Sequence, residues 1–133
     1  MKKNKTLIII DDDEEDVMML CDVVRELDNN IDFVIANNGE DALEKIQALQ
    51  SLPDFIFLDL NMPRMNGKQC LKEIRKNDNY SGVPVIIYTT SSSERDKVES
   101  AELGISHFII KPNTYQEIFT VVESILQIPR ASK

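Results

Sequence analysis

Short apolar runs alternate along the chain with amphipathic stretches of helical period, and this alternation strongly constrains the fold. Each apolar run is typical of a parallel strand covered on both faces, and we predict strands at 6–10, 32–36, 54–58, 84–88 and 107–110. Helices are predicted between them, with the more polar ones at 67–77 and 93–103. Five strand–helix units in 133 residues predict one α/β domain. Its sheet would be flavodoxin-like, doubly wound, five-stranded and parallel, with order 2-1-3-4-5 and helices on both faces.

Composition excludes several classes of function. The net charge of -8 argues against nucleic-acid binding, which needs a cationic surface. The apolar runs are too short to cross a membrane, and no secretory leader pattern is present. Cys21 and Cys70 lie far apart, in no metal-binding or redox spacing, which favours free thiols in a reducing compartment. The sequence therefore predicts a cytoplasmic protein that binds neither nucleic acid nor membrane.

Acidic residues stand where two predicted strands end. Asp11 and Asp12 follow the first strand and Asp59 follows the third, and these strands flank the point where ligands bind in such a sheet. Desolvated carboxylates repel one another, and a hard cation such as Mg²⁺ relieves that repulsion. Asp59, on a sharp turn, is a candidate acceptor for a phosphoryl group. The acids from Asp13 to Asp16 are interpreted only as a solvated helix start that suits the helix dipole.

Two further strand ends complete a set of motifs. In chain order these are Asp11-Asp12-Asp13, Asp59-Leu60-Asn61-Met62-Pro63 with Gly67, Thr89, and Lys111-Pro112. Together, in order and at these spacings, they resemble the CheY-like receiver domains of two-component response regulators. The resemblance covers nearly the whole chain. It implies a lead at 1–5, a receiver domain at 6–127 and a short tail at 128–133.

The resemblance implies a role for each acidic position. Asp59 would be the phosphoacceptor. Mg²⁺, with Mn²⁺ as a substitute, would be held by the side chains of Asp12 and Asp59, by the backbone carbonyl of Asn61, and through water by Asp11. Charge neutralisation by such a cation suits the loose transition state of phosphoryl transfer.

The remaining positions would read the phosphoryl group. By the same resemblance, Lys111 would contact the phosphoryl oxygens, and Thr89 would be the switch hydroxyl that moves toward them. Phe108 would be the aromatic switch residue beside Thr89. The family often has a cis bond between this lysine and Pro112, which the resemblance carries over as an expectation.

The implied function is signalling by association. A sensor histidine kinase or phosphotransfer protein would donate the phosphoryl group. Output would pass to a downstream protein target, or to a second copy of the chain through the face of helix four, strand five and helix five. The chain would not be an enzyme, because its only chemistry would be its own phosphorylation and dephosphorylation.

Three other functions fit these residues less well. A phosphohydrolase of the haloacid dehalogenase type needs a second Asp two residues after its nucleophile, and Asn61 stands there. An interaction module without phosphorylation would not need the complete set of Asp11, Asp12, Asp59, Thr89 and Lys111. A flavodoxin-type cofactor binder would need a phosphate-binding loop after the first strand, where acids stand instead.

Overall fold

Five parallel strands form one sheet in the order β2-β1-β3-β4-β5, as predicted. This computed structural model describes residues 4–126. The strands are β1 (Lys5–Ile10), β2 (Ile31–Ala36), β3 (Phe55–Leu58), β4 (Val85–Thr89) and β5 (His107–Ile110). The helices are α1 (Glu14–Leu27), α2 (Gly39–Ala48), α3 (Gly67–Lys76), α4 (Glu94–Leu103) and α5 (Tyr115–Leu126), with a short 3₁₀ turn at Asp78–Tyr80. The predicted tail at 128–133 lies outside the described residues. Lys5, which was predicted to belong to the lead at 1–5, is the first residue of β1.

The sheet separates two hydrophobic cores. Because side chains of a strand alternate between faces, Leu7 and Ile9 of β1 pack on one side and Ile8 and Ile10 on the other. Helices α1 and α5 cover the first side, and α2 and α3 cover the second. These four helices on two faces account for the nearly continuous apolar runs of the central strands.

The edge strand β5 departs from the prediction that every strand is covered on both faces. His107 and Ile110 are exposed there, and Phe108 and Ile109 are half-buried. The reason is its position at the edge of the sheet: among residues 4–126, β5 pairs with β4 alone, and helices cover it incompletely. The second predicted switch residue, Phe108, therefore lies at the border between core and solvent.

Helix starts are marked by side chains that accept hydrogen bonds from the first free backbone N–H groups. Asp13, Asn38, Asn66 and Ser93 cap α1 to α4 in this way. At the start of α5, Thr114 Oγ1 accepts from Glu117 N at 3.2 Å, and the Glu117 side chain accepts from Asn113 N. These caps fix where each helix begins relative to the strand before it.

Helix α4 is attached to the domain mainly by polar contacts. Ser100 is its one buried residue. Lys68 Nζ of α3 lies 2.7 Å from Asp96 Oδ1 and 2.6 Å from Glu99 Oε1, both on α4. Ser91, between β4 and α4, donates to Asp96 Oδ2 at 2.6 Å. The helix is thus linked to the end of β4 without a large apolar interface.

Candidate functional site

The backbone ladder of the sheet continues one residue beyond the central strands and positions the acids. Register pairs Ile10 with Leu58, so Asp11 and Asp59 leave neighbouring strands at the same edge. Asp11 N donates to Ala36 O at 3.0 Å, and Asp59 N donates to Ile10 O at 2.9 Å. Both carboxylates are buried and held by local contacts: Asp11 Oδ1 accepts from Asp13 N at 2.9 Å, and Asp59 Oδ1 accepts from Asn61 N at 3.1 Å.

Three of the predicted metal ligands meet in one cluster. One oxygen each of Asp11, Asp12 and Asp59 lies within 4.8 Å of the others. Asp12 is exposed, whereas Asp11 and Asp59 are buried, so the cluster opens to solvent on one side. An all-oxygen set with water access suits a hard cation such as Mg²⁺ or Mn²⁺. Asn61 lies two residues after Asp59 on the same turn, and its backbone N–H donates to the Asp59 carboxylate.

Lys111 is held in the middle of the acids. Its side chain is only 7% exposed, and its Nζ lies 2.9 Å from Asp11 Oδ2 and 3.3 Å from Asp59 Oδ2. The Tyr88 ring lies 5.8 Å from the same nitrogen. Burial acts to lower the pKa of Lys111, but hydrogen bonds to Asp16 and Asp11 and the nearby carboxylate charges outweigh it and raise that pKa. The ammonium group is therefore a fixed cation beside Asp59.

Asp16 corrects the interpretation of the acidic run as a solvated helix start. Its Oδ2 lies 2.7 Å from Lys111 Nζ, and its side chain is 37% exposed. Asp13 fits the earlier interpretation, since it caps α1 and accepts from Asp16 N. The missed signal was positional: α1 begins directly after β1, so its first turn returns to the edge where Asp11 lies.

Thr89 is fully buried at the end of β4, next to the site on the sheet. Its hydroxyl accepts weakly from Ser91 N at 3.3 Å and from Asn61 Nδ2 at 3.5 Å. Asn61 Nδ2 also donates to Thr90 Oγ1 at 3.2 Å. Both bonds use the hydroxyl oxygen as the acceptor, and because they are long the Thr89 hydroxyl can give them up at small cost to donate its O–H to an arriving acceptor.

The peptide bond between Lys111 and Pro112 is trans, against the expectation carried by the resemblance. No cis bond occurs among residues 4–126. Trans is the lower-energy isomer before proline, and Lys111 N still donates to Thr89 O at 2.7 Å in this form. The ladder therefore brings Lys111 to the site without a cis bond.

Metal binding should depend on pH through Asp11. Burial raises the pKa of that carboxyl to about 6, against the lowering effects of the Asp13 N–H and Lys111. The Asp11 carboxyl therefore binds its proton more tightly in the folded protein than in the unfolded chain, so protonation stabilises the metal-free fold. This contribution is full below the pKa of Asp11 in the unfolded chain and is lost as the pH rises through about 6. A metal needs the carboxylate, so we expect Mg²⁺ to raise the melting temperature less at about pH 5 than at about pH 7.5. An Asp11→Asn control should respond weakly at both; equal responses of the parent at both values would contradict the prediction.

Removing the charge of Asp12 should not harm the metal-free protein. Asp12 makes no hydrogen bond or ion pair with any described residue, and it lies beside two other carboxylates. We expect Asp12→Asn to unfold at the parent's temperature or higher without metal, with a gain of at most about 1 kcal/mol, and to lose most of its response to Mg²⁺. Glu15→Gln, which removes an exposed charge nearby, is the control and should keep the full response. A marked loss of stability in metal-free Asp12→Asn would reveal a structural partner.

The sequence is similar to those of known proteins. The family model described as "Response regulator receiver domain" matches residues 7–123. The response regulator Rcp1 of Synechocystis is 36% identical over 73 residues, which are 55% of this chain and 50% of Rcp1. The sensor histidine kinase CheAY of Helicobacter pylori is 30% identical over 98 residues, covering 74% of this chain and 12% of that protein. The chain thus spans half or less of these curated relatives.

A solved structure shows the same fold. The Mn²⁺-bound form of Rcp1 superposes with a TM-score of 0.82 at 26% identity, covering 92% of both chains. Within residues 4–126, no helix has the length and apolar character that a membrane span requires. The family match covers most of the chain and includes all four strand ends that carry the acids, the threonine and the lysine. The chain therefore belongs to the response regulator receiver domains of two-component signalling.

Proposed function

We propose that this chain is a phosphorylation switch whose acceptor is Asp59. The observation that carries the proposal is the surroundings of this buried carboxylate: two neighbouring acids that could hold a cation together with it, and a buried ammonium 3.3 Å away. Anionic phosphoryl oxygens arriving there would meet positive charge on two sides. Asp59 is at the same time anchored by its backbone, so it would present its carboxylate in a fixed direction.

The transfer is a nucleophilic substitution at phosphorus. An oxygen of the Asp59 carboxylate attacks the phosphorus of a donor phosphohistidine, the new P–O bond forms as the P–N bond breaks, and the imidazole leaves with that electron pair. Lys111 donates hydrogen bonds to the phosphoryl oxygens. Hydrolysis of the resulting acyl phosphate by water returns the carboxylate and inorganic phosphate. Because the chain would act only on itself in this cycle, it is proposed not to be an enzyme toward other substrates.

The cation would be Mg²⁺, with Mn²⁺ able to replace it. Asp12 and Asp59 would bind it with side-chain oxygens, Asn61 with its backbone carbonyl, and Asp11 through water. Bound there, it would neutralise charge on the transferring group. The cluster of carboxylate oxygens supports a divalent cation here, and the similarity to the Mn²⁺-bound form of Rcp1 supports divalent-cation binding by this chain.

The proposed partners follow from this chemistry. The donor is a sensor histidine kinase or a phosphotransfer protein, and the similarity to CheAY, itself named a sensor histidine kinase, supports that class. Output would pass in the cytoplasm to a protein target, or to a second copy through the face of α4, β5 and α5. Exposed Val98, Ile110 and Tyr115 give that face apolar contact area. Neither nucleic acid nor membrane is proposed as a partner.

The direct test is to locate the phosphoryl group. The protein is incubated with acetyl phosphate and Mg²⁺, reduced with borohydride to convert any acyl phosphate to a stable product, digested and mapped by mass spectrometry. We expect one modified residue, Asp59, and none when Mg²⁺ is replaced by a chelator. Modification at another aspartate, or none with Mg²⁺ present, would overturn the proposal.

Thr89 is expected to transmit the phosphoryl signal without being needed to receive it. Its hydroxyl is buried and loosely bonded, and Ser91 and Asp96 link that strand end to α4. Thr89→Ala should still accept a phosphoryl group on Asp59. It should lose most of the change in amide hydrogen exchange that beryllofluoride, a phosphoryl mimic, causes in α4 and β5. The backbone amide of Phe108, on β5, should show the same loss.

The control for Thr89→Ala is Thr90→Ala, which removes the adjacent, exposed hydroxyl. It should keep the full response of α4 and β5. An unchanged response in Thr89→Ala would mean that the coupling runs through another residue.

A further inference from the structure

Lys111 has three carboxylate partners, and the shortest contact is to the one outside the predicted site. Its Nζ lies 2.7 Å from Asp16, 2.9 Å from Asp11 and 3.3 Å from Asp59. An ammonium has three N–H donors, so each carboxylate can take one of them. Asp16 comes from α1, whereas Asp11 and Asp59 follow strands of the sheet.

The three carboxylates would differ in whether they stay available to Lys111 during phosphoryl transfer. Asp11 and Asp59 belong to the cluster that can hold a cation, and Asp16 does not. Asp59 would in addition lose its free carboxylate when the acyl phosphate forms. Asp16 is the partner of Lys111 that neither event consumes, and its own backbone N–H is fixed by the α1 cap at Asp13 Oδ1, 3.1 Å away.

Charge makes such an anchor necessary. A divalent cation held at the cluster of Asp11, Asp12 and Asp59 would repel the ammonium beside it. Lys111 is 7% exposed, so solvent screens this repulsion poorly. A carboxylate outside the cation cluster can keep the ammonium in place, and a charge-assisted hydrogen bond of 2.7 Å is strong enough to do so.

We propose that Asp16 is a positioning residue that holds Lys111 toward the phosphoryl group on Asp59. This inference rests on the proposed function and deepens it. Asp16 would touch neither the cation nor the phosphoryl group, and would act only through the Lys111 ammonium. A small misplacement of a charged group at a reacting centre lowers the rate substantially, so the expected effect is kinetic.

The first test compares rates of Asp59 phosphorylation by acetyl phosphate at saturating Mg²⁺. We expect Asp16→Asn to react about tenfold more slowly than the parent, with an unchanged Mg²⁺ midpoint. Asp16→Glu should recover part of the rate, and Glu15→Gln should react like the parent. A parental rate for Asp16→Asn, or a loss confined to Mg²⁺ affinity, would overturn the inference.

A double-mutant cycle tests whether Asp16 acts through Lys111. In a Lys111→Met background, adding Asp16→Asn should change the rate less than twofold, because the partner that it positions is gone. A further loss of about tenfold in that background would contradict a positioning role.

A readout without phosphorylation separates this inference from the proposed function. Nitrogen-15 NMR of lysine side chains should show slow hydrogen exchange at the Lys111 ammonium of the parent, assigned by its absence in Lys111→Met. Asp16→Asn should speed that exchange about tenfold, and Glu15→Gln should not. If the parent is never phosphorylated, the proposed function fails while this measurement still decides whether Asp16 holds Lys111; unchanged exchange in Asp16→Asn would overturn the anchoring itself.

Discussion

An Asp59→Asn chain is expected to incorporate no phosphoryl group from acetyl phosphate, while it folds as the parent does. The amide has nearly the shape of the carboxylate, and its oxygen can still accept from Asn61 N, which lies 3.1 Å from Asp59 Oδ1 in the parent. It lacks the negative charge of the nucleophile, however, and it contributes a weaker ligand to a hard cation. Loss of labelling should therefore be complete within detection.

The matched control for Asp59→Asn is Asp22→Asn, the same change on the exposed surface of α1, where Asp22 pairs with Arg25. That variant should label at the parental rate. Both are measured by intact-mass spectrometry over the same time course, with circular dichroism to establish folding. Parental labelling of a folded Asp59→Asn chain would show that another residue accepts the phosphoryl group.

Of the substitutions proposed for this chain, Gly67→Ala is expected to cause the largest loss of stability. Gly67 begins α3, and an added Cβ there would lie 2.3 Å from Asp59 O and 2.5 Å from Leu60 Cα. Both are backbone atoms of the turn after β3, so no side-chain rotation relieves the clash. Gly67 N also donates to Leu60 O at 3.0 Å, which ties the two segments together. The free energy of unfolding should fall by about 3 kcal/mol, or about 10 °C in melting temperature.

Gly82→Ala is the matched control for Gly67→Ala. An added Cβ at Gly82 meets no atom within 4 Å, and Gly82 is not among the glycines with positive φ. Its stability should change by less than about 1 kcal/mol, with a slight gain from the stiffer unfolded chain. Thermal unfolding of both variants, followed by circular dichroism, decides the comparison. Equal stability of the two variants would mean that the turn after Asp59 can move to accommodate a Cβ at Gly67. Gly67 would then not be needed to shape the site.

Sequence reasoning located the elements and the strand-end residues because both depend on local pattern. Apolar runs and turn residues fixed the strands to within a residue of their observed starts, and the order of the sheet was confirmed. The fold rule for ligand sites then placed Asp11 and Asp59 at the ends of neighbouring strands. The residues just before them, Ile10 and Leu58, are paired in the sheet.

What sequence could not supply was the arrangement of side chains across elements. Asp16 lies 95 residues from Lys111 in the chain, and its place in an acidic run made a solvated helix start the simpler reading. The repulsion that was predicted for the bare acids is also partly offset, since Lys111 bridges two of them. Incomplete cover of β5 likewise depends on its edge position, which short apolar runs do not reveal.

The polar attachment of α4 has a thermodynamic consequence. A helix that buries only Ser100 and is tied down through Lys68 can shift while uncovering little hydrocarbon. Its displacement should then carry a small heat-capacity change, because that quantity follows the apolar area newly wetted. A rearrangement of this kind also exposes little new apolar surface to other proteins. Repeated toggling of such a helix in a crowded solution would therefore bring little risk of aggregation.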